Sequence, residues 1–207
     1  MKIEKHAVIR TALALLDEVG SDGLTMRVLA KALNVQAPTL YWHFPSKQDL
    51  FDQMADALIA PVCSMVDVEA EPDDALRSLA TALRTALLSR RDGARVYAGT
   101  YVMGENVLAL ADTTLAALLR KGLDECTATD AMFNLVYYVL GFCIEEQGFA
   151  QRWTADTDTR ALRQAFADNV GDRFPALSRS LDALLSSDFD ARFDAGLMAF
   201  LSGLTSR

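Results

Sequence analysis

Between Leu24 and Phe44 lies a run of polar and aromatic residues suited to nucleic acid: Arg27, Lys31, Gln36, Thr39, Tyr41, Trp42 and His43. Hydroxyls and amides donate to phosphates, an arginine can fork onto guanine, and threonine offers a methyl group to thymine. The apolar residues threaded among them, Val28, Leu29, Leu33, Val35 and Leu40, can lock two short helices together across a tight turn. On residue types alone, an ordinary helical hairpin with a polar surface fits this run as well as a DNA reader does.

Elsewhere the chemistry is sparse. The only histidines are His6 and His43, so a histidine-based triad beyond residue 43 is excluded. The sequence has no glycine-rich phosphate loop, His-Glu-x-x-His, Cys-x-x-Cys or nucleophile elbow. Cys63, Cys126 and Cys143 are odd in number and far apart. They suit a reducing cytoplasm better than a disulfide framework or a zinc knuckle. An all-helical enzyme or a protein-interaction module without DNA binding is the alternative, although an adaptor would have no need of the polar set at 25–47.

Charge is unevenly spread. The 207 residues carry a formal charge of -8, yet the first 50 hold six basic and five acidic groups, leaving -9 for the remainder. An acidic rear portion is repelled by a duplex, while a near-neutral front can bind one if its cations share a face. Hydrophobic residues make up 51%, enough for a substantial core. No stretch approaches about 20 uninterrupted apolar residues, and Met1–His6 opens no signal peptide, so no membrane partner and a cytoplasmic location are expected.

The periodicity predicts an all-α chain. A first helix spans about Glu4 to Val19 and stops at Gly20. Thr25 caps a second helix through Leu33, and Asn34 suits a left-handed turn. Pro38 opens a third helix, which Pro45 cuts short. Ser46 and Asp49 start a fourth helix running towards Ala60, where Pro61 ends or kinks it. Val66–Asp74 reads as a loop. Further helices are expected at about Ala75–Ser89, Thr100–Leu110, Thr113–Lys121, Thr129–Ala150, Arg160–Val170 and Asp190–Ser206, with Arg91–Gly93 as a connection. The division is a helix-turn-helix domain at 1–48 and a larger helical domain at 49–207.

Pro38-Thr39-Leu40-Tyr41-Trp42-His43, with Lys47 downstream, resembles the recognition helix of the tetracycline-repressor family. Asp22-Gly23-Leu24-Thr25-x-Arg27-x-Leu29-Ala30 resembles the approach to it, and Ser46-Lys47-x-x-Leu50 the start of that family's fourth helix. Arg91-Asp92-Gly93-Ala94-Arg95-Val96, Gly99-Thr100 and the run Phe193–Leu204 resemble the tetracycline repressors proper, and Leu140-Gly141 with Glu145-x-Gln147 is a weaker echo. The resemblance implies a homodimeric repressor of palindromic operator DNA, released by a small inducer. Thr25, Tyr41, His43 and Lys47 then become phosphate contacts, and Arg27, Gln36, Pro38, Thr39 and Trp42 lie at or near base edges. Ala37 stands where the tetracycline repressors have a base-reading glutamine.

The same resemblance implies a ligand site with departures. Tyr97 takes the place of a metal-ligand histidine and Cys63 that of a drug-binding histidine. Leu79 and Leu83 stand where Asn and Phe are used. Glu145 alone is a poor magnesium site, so no metal, no cofactor and no magnesium–tetracycline chelate are expected. The expected lining is apolar and aromatic: Leu83, Tyr97, Tyr101, Met103, Phe133 and Tyr137, with Cys63, Thr100 and Glu145 as polar contacts. Each of these also fits plain core, and Glu145 with Glu146 fits a solvated face. Apolar residues on more than one face of Thr129–Ala150 and Asp190–Ser206 suit a dimeric four-helix bundle.

Overall fold

The computed structural model describes residues 3–100, 103–152 and 158–204, and every regular element among them is helical. Helix α1 (Lys5–Gly23) leaves helical geometry at Gly20, whose φ of 68° is costly for other residues, so the expected stop is a kink followed by one more turn. Helix α2 (Met26–Ala32) is capped by Thr25, whose Oγ1 accepts from the Val28 amide at 3.2 Å. Asn34 turns the chain with φ 53°, and α3 (Ala37–Tyr41) follows with Pro38 in its first turn. Helix α4 (Lys47–Ile59) starts at Ser46, whose Oγ accepts from the Asp49 amide at 3.1 Å and donates to its carboxylate at 2.6 Å.

Behind these lie α5 (Pro72–Leu88), α6 (Gly93–Tyr97), α7 (Glu105–Arg120), α8 (Glu125–Arg152), α9 (Thr159–Val170), α10 (Pro175–Arg179), α11 (Leu181–Leu184) and α12 (Phe189–Ser202). Four expectations are corrected. Pro72 opens α5 rather than sitting in a loop, because a missing amide costs nothing at a first helical turn. The expected helices Thr100–Leu110 and Thr113–Lys121 are one helix beginning after Gly104, since Ala111-Asp112 contains no true breaker. Arg91–Gly93 leads into α6, a short helix the periodicity did not reveal. The last helix ends at Ser202 rather than Ser206.

Two buried clusters form. The first holds Val8, Leu16, Leu29, Leu40, Phe44 and Met54. The second holds Leu76, Leu83, Leu118, Leu135, Val139 and Phe193. Each such side chain contributes about 1.5–3 kcal/mol by leaving water. Helix α4 belongs to both: Leu50, Met54 and Ala55 lie in the first cluster, Leu58 and Ile59 in the second. Glu146, expected on a solvated face, instead pairs with Arg84, whose guanidinium also bonds Asp190 at 2.7 Å and lies 4.9 Å from the Phe193 ring centre. That arginine fastens α5, α8 and α12 together. Helix α8 is long and apolar enough to cross a bilayer by length and composition, but Ala128, Met132, Leu135, Val139 and Cys143 turn one side of it into the core.

Candidate functional site

Helices α2 and α3 are pinned from beneath by Met26, Leu29 and Leu40, which leaves their outer surface to the polar set. Thr25, Arg27, Lys31, Gln36, Pro38 and Lys47 are exposed, and Thr39 and His43 are half-buried. Trp42 is 89% exposed and Tyr41 48%. The indole ring therefore finds no cover within the chain. Lys47 donates to the Ser21 carbonyl at 3.0 Å and lies 4.8 Å from the Phe51 ring centre, and two of its three ammonium protons remain for another acceptor. All nine residues assigned to DNA thus occur on one connected stretch.

A cavity of about 400 Å³ opens between the end of α6, the segment before α7, α7 itself and α8. Tyr97, Thr100, Met103, Phe133 and Tyr137 line it together, as expected. Cys63, Leu83 and Glu145 do not. Cys63 sits in a short 3-10 turn after α4, 3.8 Å from the Thr113 hydroxyl. Leu83 is buried in the second cluster, and exposed Glu145 borders a separate hollow with Arg95 and Arg152. Tyr101 falls outside the described residues. Sequence reasoning missed Val107, Leu110 and Thr114, which form one stripe of α7, because it divided that helix; on α8 it missed Val136 and Leu140.

Among the described residues, no charged side chain lines the cavity. The Phe133 and Tyr137 rings stack with centres 6.0 Å apart, and both side chains are exposed. Burial, helped by the negative charge of Asp56, pushes the Tyr97 phenol up, so it stays a neutral hydroxyl. The Thr100 and Thr114 hydroxyls donate to the Tyr97 and Leu110 carbonyls at 2.6 and 2.7 Å. This donor set does not fit a magnesium ion, which wants several hard oxygens.

The front and rear of the molecule are tied at Asp92. Its carboxylate accepts from the Ser21 amide at 2.9 Å, the Ser21 hydroxyl at 3.1 Å and the Gln151 amide group of α8 at 2.8 Å. Burial alone would push its pKa up, but these hydrogen bonds outweigh it and hold the group below its ordinary value. Asp17 adds a 2.6 Å ion pair to Arg90. Gln147 bonds the Leu87 and Arg90 carbonyls and the Ala94 amide.

Residues 8–54 match the family described as bacterial regulatory proteins, tetR family, and residues 69–207 match the tetracyclin repressor-like C-terminal domain. The chain belongs to the TetR family. It is therefore a DNA-binding transcriptional regulator, and residues 55–68, which include the last turn of α4, separate its two family segments. Tetracycline repressor protein class A from transposon 1721 of Escherichia coli is 37% identical, covering 100% of this chain and 92% of that protein. Among solved TetR-family structures, a TetR Q116A variant from Acinetobacter baumannii AYE in complex with minocycline is 35% identical with a TM-score of 0.73, covering 97% of this chain and 92% of that one. BioQ with its double-stranded DNA operator is 31% identical with a TM-score of 0.66, covering 72% of this chain and 90% of that one.

Proposed function

We propose that this chain is a homodimeric, ligand-released repressor acting in the cytoplasm, without catalytic activity of its own. Residues 1–48 grip operator DNA; residues 49–207 dimerise and hold the inducer. The observation that carries the reading is a single helix, α4, that starts beside the exposed α2–α3 surface and ends against the core around a largely apolar cavity.

On the DNA side, Thr25, Tyr41, His43 and Lys47 hold phosphates. Arg27, Gln36, Pro38, Thr39 and Trp42 approach the bases in the major groove. Ala37 offers only a methyl group, so the base it faces is read differently from the way a tetracycline repressor's glutamine reads its own. On the ligand side, the cavity selects a neutral, flat, largely apolar molecule seated on the Phe133–Tyr137 stack with the Tyr97 hydroxyl as a polar handle. A magnesium–tetracycline chelate is not its ligand. Full release of DNA needs about 5 kcal/mol of differential affinity between the two conformations, which the ligand must supply largely through buried apolar area.

The test begins with a duplex selected by rounds of binding from a random pool. The protein should favour it over random duplex by at least about a thousandfold at physiological salt. A library of neutral aromatic compounds is then screened for those that free the duplex. Tyr97→Ala and Phe133→Ala should bind the duplex as the parent does yet need more of the compound. Equal affinity for selected and random DNA sinks the DNA assignment; folded variants that respond like the parent sink the cavity assignment.

A further inference from the structure

Helix α7 has no cap of its own. Its N-cap residue is Gly104, which has no side chain, and the amides of the next turn are satisfied from another helix. The carboxylate of Asp56, on α4, accepts from the Asn106 amide at 3.0 Å and the Val107 amide at 3.1 Å through one oxygen. Its other oxygen accepts from the Asn106 side-chain amide at 2.8 Å. A Cβ on Gly104 would overlap this carboxylate, so a glycine here is what lets the two helices approach.

The neighbours of this junction give it its meaning. The Val107 amide bonds Asp56, while the Val107 side chain lines the cavity beside Met103 and Tyr97. Nine residues before Asp56, about 13 Å along the helix, stands Lys47 at the DNA-facing end. A charge-assisted cap is short-ranged and directional, so α4 cannot swing or slide without dragging the α7 N-terminus or breaking these bonds.

We propose that Asp56 is the positioning residue that couples the ligand cavity to the DNA-reading helices, by capping α7 from α4. This rests on the reading that the α4 start meets DNA and that the cavity takes the inducer. A ligand pressed against Val107 and Met103 shifts the α7 N-terminus, and the Asp56 carboxylate carries that shift into α4. Coupling between two binding events is reciprocal, so DNA binding must tighten the same junction with no ligand present.

That reciprocity allows a test without the inducer. Hydrogen exchange of the full-length protein is followed with and without the duplex selected from a random pool. In the parent, duplex should slow exchange at the Asn106 and Val107 amides about fivefold, the size of effect a helix cap confers. In D56A the α4 amides should still slow with duplex, while those two no longer respond. D56N keeps a carbonyl for both main-chain amides and should retain the response within about twofold. G104A, which displaces the carboxylate sterically, should behave like D56A and serves in its place if D56A does not fold. If Asn106 and Val107 slow with duplex in folded D56A and G104A as in the parent, the coupling runs by another route and the inference is overturned. If no duplex is selected at all, the DNA-binding assignment fails first and takes this inference with it.

Discussion

Arg27 and Lys47 are both exposed cations, but they should fail differently. On the proposed assignment the exposed Arg27 forks onto guanine, so Arg27→Ala should cost about 1–3 kcal/mol of specific binding and relax base preference at one position. Lys47 sits at the start of α4 beside Ser21, so Lys47→Ala should weaken all sequences alike and reduce the slope of log affinity against log salt by about 1. Titrations at several salt concentrations separate the two. Asp92 gives a second prediction at this scale. Its carboxyl is held below the ordinary 3.8, so the stability it contributes is fully present above that pH and disappears as pH falls through its lower folded value. Asp92 has φ 57°, a left-handed conformation that asparagine also tolerates, so Asp92→Asn loses only the charge and should cost roughly 1.5 kcal/mol at neutral pH. Denaturant midpoints of parent and variant should converge as the pH falls below 3.8.

At the scale of elements, the α5–α6 junction leaves no room for a side chain at Gly93. A Cβ on Gly93 would overlap the Leu87 carbonyl oxygen, a main-chain atom that cannot turn aside. Gly93→Ala should therefore push α6 off the end of α5 and cost about 1–3 kcal/mol, visible as a lower urea midpoint with unchanged helix content. The displacement would also reach Asp92 and Val96, so the variant should bind DNA less well at temperatures where it remains folded.

At the scale of the molecule, the prediction concerns the dimer. Gly141 and Gly148 lie about two turns apart on one side of α8, and a Cβ on either would meet nothing within 4 Å. Such a stripe lets a second helix come close, and Met198 on α12 adds apolar surface that is 44% exposed. Sedimentation should give about 45 kDa, twice the 22.6 kDa chain. Gly141→Arg should shift the protein to the monomer without loss of helicity and abolish tight binding to a palindrome, whose half-sites need two recognition helices about 34–36 Å apart.

The sequence by itself determined the DNA-reading part, because every cue there is local. The Thr25 cap, Asn34 in a left-handed turn, Pro38 in a first turn and Ser46 with Asp49 each act within a few residues, and the structure realises them where they were read. The all-α character was legible for the same reason. Only the tertiary structure decided the rear half. Adjacent residues on a helix point about 100° apart, so Glu145 and Glu146 looked alike in sequence, yet one reaches solvent and the other Arg84. Helix α8 is apolar on several sides, and periodicity could not say which side meets the core, the cavity or a twin. Cys63 is placed by the short turn after α4, which sets it against Thr113 instead of in the cavity. The Asp56 cap is invisible in sequence because its donor amides lie some 50 residues away, and only the packing of α4 against α7 brings them within reach.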